Sequence, residues 1–420
     1  MAADLNIIHG CVARVRDHGS ARRGLAQNEL DIVDDGAIAI RDGLIQAVGS
    51  TAVVLKVWGG TNIPTIEARG KTVLPGLVEC HSHALFAGHR HDEYAERLAG
   101  ASLAEEAANG GGIWRSVVAT RQASDEQLLA DLESVYRRIL AGGVTTLEVK
   151  SGYGLTLDSE LRQLQLLHES RSLTPMNLVV TFLGAHVVPR DLLADSAEHR
   201  SQLYTDEVHQ MLAPVIAQGL AQFQDVTVEM GHFTPDQALH LMAASRAAGL
   251  PVRVHADAWA PSSGWVTAVL GGAISAEHLT YTTDDEIRSV GATDTIAVVL
   301  PMAELVYMTD RRANARLFID QQVPVAIATD FCSSIHATSL LNTLATAAPW
   351  FRLTPAEVIV GATLNAAYSL GLHQSCGSLD VGKRGDLIVV DCVHPNEICL
   401  AIGAPLLDQV VIAGELVSGS

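Results

Sequence analysis

Between residues 71 and 371, short apolar runs alternate with longer stretches in which apolar residues recur every three or four positions. The runs fall at 73–81, 144–150, 177–185, 225–230, 251–256, 274–279, 295–300 and 324–329, each the length of a buried strand. The stretches between them read as helices. Ser124 caps one that runs to Leu140, and Thr234 followed by Pro235 opens another that runs to Ala248. Eight such repeats predict an α/β fold, a (β/α)₈ TIM-like barrel over 71–371, with functional side chains at the C-terminal ends of the strands.

The two ends of the chain are different. Residues 1–70 hold short strand-like runs such as Ala37–Ile40 and Leu44–Val48, punctuated by Asp34-Asp35-Gly36 and Arg41-Asp42-Gly43. The tail from 372 to 420 has the same short-strand, glycine-turn character in 377–391 and 409–417. Neither piece has enough apolar surface to stand alone, so together they are expected to form one small discontinuous β-sandwich domain beside the barrel.

Composition narrows the function. A net charge of −19 provides no basic stripe for a phosphate backbone, so no nucleic acid partner is expected. No apolar run reaches the roughly 18–20 residues of a spanning helix, and no basic-then-apolar leader opens the chain, so no membrane partner is expected. The six cysteines lack paired spacing, as reduced thiols of a cytoplasmic protein do. A homodimer is the general expectation for a soluble enzyme of this size.

Ligand-type side chains gather where the barrel strands end. His81 and His83 close the first run with i, i+2 spacing, His255 closes the fifth, His278 the sixth and Asp330 the eighth. Three imidazoles and a carboxylate make a shell for one divalent metal ion, zinc or iron, with a position left for water. His81, His83, His255 and Asp330 are the expected ligands. Asp330 doubles as the catalytic proton acceptor, and His278 polarises a carbonyl. The fourth run, 225–230, ends without a lysine, so the carbamylated lysine of two-metal relatives has no donor there.

The segments Pro75–Arg90, Asn109–Ile113, Glu148-Val-Lys-Ser-Gly-Tyr-Gly154, Thr181-Phe-Leu-Gly-Ala-His186, His255-Ala-Asp257 and Ala328-Thr-Asp330 resemble the imidazolonepropionase family of amidohydrolases over nearly the whole chain. The resemblance implies the same four metal ligands, His278 as catalytic histidine, and Arg90, Tyr153 and His186 as substrate contacts. It also implies hydrolysis of a cyclic amide in a carboxylate-bearing five-membered heterocycle, 4-imidazolone-5-propanoate to N-formimidoyl-L-glutamate in histidine degradation. A guanidinium fork at Arg90 suits a propionate carboxylate, and His186 could donate to a carbonyl. Gly110–Gly112 lacks the following Lys-Ser/Thr of a phosphate loop and reads as a flexible lid.

Several positions depart from the family pattern. Ala258, followed by Trp259, replaces a Glu or Gln; Leu103 replaces a Tyr; strand four carries Glu229-Met230 in place of two glutamates; and Asp330-Phe-Cys-Ser-Ser-Ile-His336 replaces Asp-x-Asn-Pro-Gly-Ser. Losing a buried partner for a polar ring atom costs about 1–3 kcal/mol, enough to change the preferred ring. A hydantoin- or thiohydantoin-type propionate is therefore an alternative substrate, with Glu304, Cys332 and His336 as candidates for the replaced contacts. A heterocycle aminohydrolase is a second alternative, although Ala258 removes its expected proton shuttle. A catalytically dead scaffold is a third, and the intact ligand set argues against it.

Overall fold

The computed structural model describes residues 3–102, 105–106 and 109–419. Eight strands form a parallel sheet in sequence order: β6 (Leu77–Glu79), β7 (Val144–Lys150), β8 (Asn177–Ala185), β9 (Phe223–Val228), β10 (Val252–Ala256), β11 (Ser275–His278), β12 (Ile296–Val299) and β13 (Val325–Ile327). No ladder joins β13 back to β6 among the described residues. The ring is drawn together there by the Glu79 carboxylate, which accepts from Thr329 N–H, and by His83 N–H donating to Phe331 O at 2.7 Å. Helices follow the strands as expected. Ser124 caps Asp125–Leu140, and Thr234 with Gln237 forms a capping box ahead of Pro235–Ala247.

Alternation along the barrel strands separates two environments. Leu147, Val149, Val226, Val228 and Val254 pack in one cluster with helix residues such as Leu132, Leu164, Val208 and Leu241. Their neighbours Glu148, Lys150, Asp225, Arg253 and Glu277 are also fully buried and pair with one another. The barrel interior is thus charged below its mouth, and apolar packing lies outside it.

The chain ends meet in one mixed sheet, with strands β1 (Leu5–Ala13), β2 (Ile32–Arg41), β3 (Leu44–Ser50), β4 (Thr65–Glu67), β5 (Thr72–Pro75), β14 (Leu387–Val390), β15 (Leu407–Ile412) and β16 (Glu415–Gly419). The order is β16-β15-β14-β5-β1-β2-β3, with β4 also on β1. Ile38, Ile45, Leu387 and Val411 share one core, so this sheet curls over itself and does alone what two facing sheets do in a sandwich. Its other face, with Ile388, Val390, Val410 and Ile412, joins the barrel core.

Two expectations change. Asp42 and Gly43 do turn β2 into β3, both at positive φ, but Asp34-Asp35-Gly36 lies inside β2 at a register shift. Gly36 is there for close approach, since a Cβ would meet Val12 Cγ2 at 2.5 Å. The run 73–81 is two strands serving two sheets: Val73 pairs with Val389 in the curled sheet, and Leu77 pairs with Val144 in the barrel. Gly76 is the crossing point. Its N–H donates to Asp386 O at 2.9 Å, and a Cβ would lie 2.2 Å from Thr145 Oγ1. Gly76→Ala is expected to lower unfolding stability by about 1–3 kcal/mol through overpacking; a urea midpoint equal to the parent's would contradict this account of the crossing.

Candidate active site

His81 and His83 lie just beyond β6, and Ser82 between them bridges Phe331. This places both rings inward, where His255 at β10 and Asp330 beyond β13 also point. His83 Nε2 is 3.3 Å from His81 Nε2 and 3.3 Å from His255 Nε2, and Asp330 Oδ1 is 3.4 Å from His81 Nε2 and 3.7 Å from His83 Nε2. Tetrahedral ligands about 2.0–2.1 Å from zinc sit about 3.3 Å apart, so these four donors fit one ion. His81, His278 and Asp330 form an overlapping group able to hold a cation.

The far nitrogens of two of these rings are fixed. His81 Nδ1 contacts Glu277 Oε2, and His255 Nδ1 lies 2.9 Å from Asp225 Oδ2. Carboxylates in this position set the tautomer and turn Nε2 toward an ion. Lys150 Nζ reaches Glu148, Asp225 and Glu277, and Arg253 joins Glu277 to the backbone oxygens of Cys80 and Ser369. Sequence reading missed this layer. Its signal was charge inside apolar strands in phase with the histidines: Arg253 two before His255, and Glu148 two before Lys150.

His278 reaches the site by a different route. Strand alternation would put it on the face opposite Glu277, but its φ of +76° and that of Leu279, +64°, turn the chain. Asp330 has φ +55°. Both sit in the sparsely populated left-handed region, as strained functional residues do. Burial pushes the His278 imidazole down to about 3, so it is neutral near pH 7. Burial does the same to His186, whose Nδ1 donates to Gly152 O at 3.0 Å. A neutral ring that donates from Nδ1 presents Nε2 as an acceptor, so His186 suits a ring N–H and not the carbonyl expected from sequence.

A cavity is lined by His83, Arg90, Tyr153, His186, His255, His278 and Asp330, with Ile113, Ala258, Trp259, Tyr307 and Cys332 among the remaining wall. Arg90 is buried; its Nε donates to Glu93 Oε2 and its Nη2 to Glu106 Oε1, each at 2.5 Å. Gly112 N–H also donates to Glu93, so this glycine run serves the Arg90 corner. Leu103 lies outside the described residues. Beside Ala258, Trp259 meets Tyr307 edge-on at 4.6 Å. Glu229 Oε2 accepts from Ala258 N–H at 2.6 Å and from Trp259 N–H at 3.1 Å, which commits it to the loop, while Met230 is 72% exposed.

Of the three expected replacement contacts, Cys332 lines the cavity. His336 lies apart, beside Phe86 and His89. Glu304 is engaged elsewhere, accepting from Trp350 Nε1 at 2.6 Å, Ala313 N–H at 2.8 Å and Thr280 Oγ1 at 3.3 Å. Burial raises its carboxyl to about 7. The folded chain therefore binds this proton more tightly than the unfolded chain, and stability falls as pH rises from about 4.5 to about 7. Glu304→Gln is expected to remove on the order of 2–3 kcal/mol from that decline while leaving turnover intact. Urea unfolding between pH 4.5 and pH 8 measures it; a profile superimposing on the parent's would refute the assignment.

Among the described residues no helix is long and apolar enough to cross a membrane. The Amidohydrolase family profile matches residues 72–417. An imidazolonepropionase of Geobacillus kaustophilus is 39% identical over 394 residues, spanning 93% of this chain and 92% of that protein. One of Symbiobacterium thermophilum is 36% identical over 415 residues, 98% and 96% of the two chains. A zinc-bound adenosine deaminase of Xanthomonas campestris superposes with a TM-score of 0.72 at 19% identity, over 100% of this chain and 93% of that one, a likeness of fold. By identity and coverage, the chain belongs to the imidazolonepropionase family of amidohydrolases, metal-dependent hydrolases of C–N bonds.

Proposed function

We propose that the chain opens the ring amide of 4-imidazolone-5-propanoate to give N-formimidoyl-L-glutamate, using one divalent ion, zinc or iron, held by His81, His83, His255 and Asp330. The convergence of those four donors at the floor of a cavity that His83, His255, Asp330 and Arg90 line carries the reading. The ion supplies a lowered water pKa and polarisation of the amide carbonyl. Asp330 accepts a proton from the attacking water and returns it to the ring nitrogen as the C–N bond breaks. His278, neutral at pH 7, steadies the carbonyl oxygen as charge develops there.

Arg90 meets the propionate at Nη1, because Glu93 and Glu106 occupy its Nε and Nη2. Tyr153 lines the same wall, and His186 accepts from a ring N–H. The wall beside Ala258 favours a second reading, a hydantoin- or thiohydantoin-type propionate, because Ala258 and Cys332, which stand in place of a Glu or Gln and an Asn, line it together with Trp259 and Tyr307. An aminohydrolase gains no support, since Asp257 on that loop and Glu229 just beyond β9 are both spent on its backbone amides.

Asp330→Asn is expected to cut kcat by about 100-fold or more while the fold persists. Arg90→Met is expected to raise KM by about 10-fold or more for carboxylate-bearing rings. Steady-state rates on imidazolone propionate and the matching hydantoin and thiohydantoin propionates decide between rings. A kcat/KM at least 100-fold higher for imidazolone propionate supports the first reading, the reverse order supports the second, and ammonia release in place of ring opening would overturn both.

A further inference from the structure

A third group of side chains able to hold a cation, Asp225, His255 and Glu277, lies directly behind the first. It is filled by the protein's own ammonium group. Lys150 Nζ lies 2.8 Å from Glu148 Oε1, 2.8 Å from Asp225 Oδ2 and 3.0 Å from Glu277 Oε2, and all four side chains are completely buried. Three oxygens match the three N–H donors of an ammonium. Asp225 Oδ1, equally buried, still has no hydrogen-bond partner, so the acidic group is under-supplied with donors even with the lysine in place. Asp225 and Glu277 also reach His255 Nδ1 and His81 Nδ1, which places the ammonium one carboxylate and one imidazole away from the metal position on two sides.

Charge balance points the same way. The carboxylates tied to Lys150 and Arg253 are Glu148, Asp225 and Glu277, three against two cations. A divalent ion placed beside Lys150 would set two cations in contact and turn this buried group net positive, which is strongly unfavourable.

We propose that Lys150 is a permanent cation in a second cation position of this centre, and that its ammonium holds the centre to a single divalent ion. The proposal rests on the one-ion reading above. With the lysine side chain removed, the position is walled by carboxylate oxygens, a donor set that suits a hard divalent ion such as manganese(II).

The test strips the full-length protein with a chelator, reloads it with one equivalent of zinc, adds manganese(II) chloride, and counts both metals after desalting. Wild type is expected to keep one zinc and no manganese. Lys150→Ala is expected to keep one zinc and about one manganese, with manganese affinity at least 100-fold above wild type. The double variant Lys150→Ala/Glu148→Gln preserves net charge and covers the case in which the single variant does not fold; it is expected to take up manganese more weakly than Lys150→Ala. Either variant folding with one zinc and no manganese overturns the proposal, as does a wild type that holds both ions. A wild type that takes up no zinc fails the underlying one-ion reading instead.

Discussion

The centre depends on keeping three carboxylates, Glu148, Asp225 and Glu277, and two side-chain cations, Lys150 and Arg253, in a fully buried layer beneath the barrel mouth. An imidazole presents one nitrogen reliably only when the other is held, and here Glu277 and Asp225 hold His81 and His255. Those carboxylates tolerate burial because Lys150 and Arg253 meet them at ion-pair distance. Each member is costly alone and stable in company, so the layer behaves as one unit and removal of any charge strands the others.

Backbone geometry does the rest. Strand alternation delivers Glu79, His81, Lys150, Arg253 and His255 inward, but the last two groups of the site arrive through left-handed turns at His278 and Asp330. The loop after β10 is pinned from two sides. Glu229 accepts from the amides of Ala258, Trp259 and Ala260, and Asp257 accepts from those of Ser262, Gly264 and Trp265. Trp259 is thereby fixed against Tyr307 as a rigid wall of the cavity, with carboxylates spent on architecture where a ring contact was expected. Below, the run through Gly76 ties the curled sheet to the first barrel strand, so the ends of the chain support the side of the barrel that carries His81 and His83.

Much of this was legible in the sequence because period and chemistry coincide. Apolar runs ending in His255, His278 and Asp330 announced both a parallel barrel and the rim where its chemistry belongs. The buried charge layer was not legible in the same way. A lysine at the end of Val144–Lys150 or an arginine in Val252–Ala256 reads as a strand boundary or a solvated charge until its partners on other strands are known. Glu304 misled for the opposite reason: the chain places it near the rim, while Trp350 and Ala313 draw it into a structural pocket. The single run 73–81 concealed two strands because hydrophobicity does not mark the glycine at which a chain passes from one sheet to another.

The central claim is that His81, His83, His255 and Asp330 together grip one divalent ion. Anomalous diffraction from crystals of the metal-loaded protein, collected at the zinc and iron edges, tests it most directly. The account predicts one peak about 2.0–2.2 Å from the three imidazole Nε2 atoms and within bonding reach of Asp330. No peak among these residues, or a peak bound by other side chains, would contradict it.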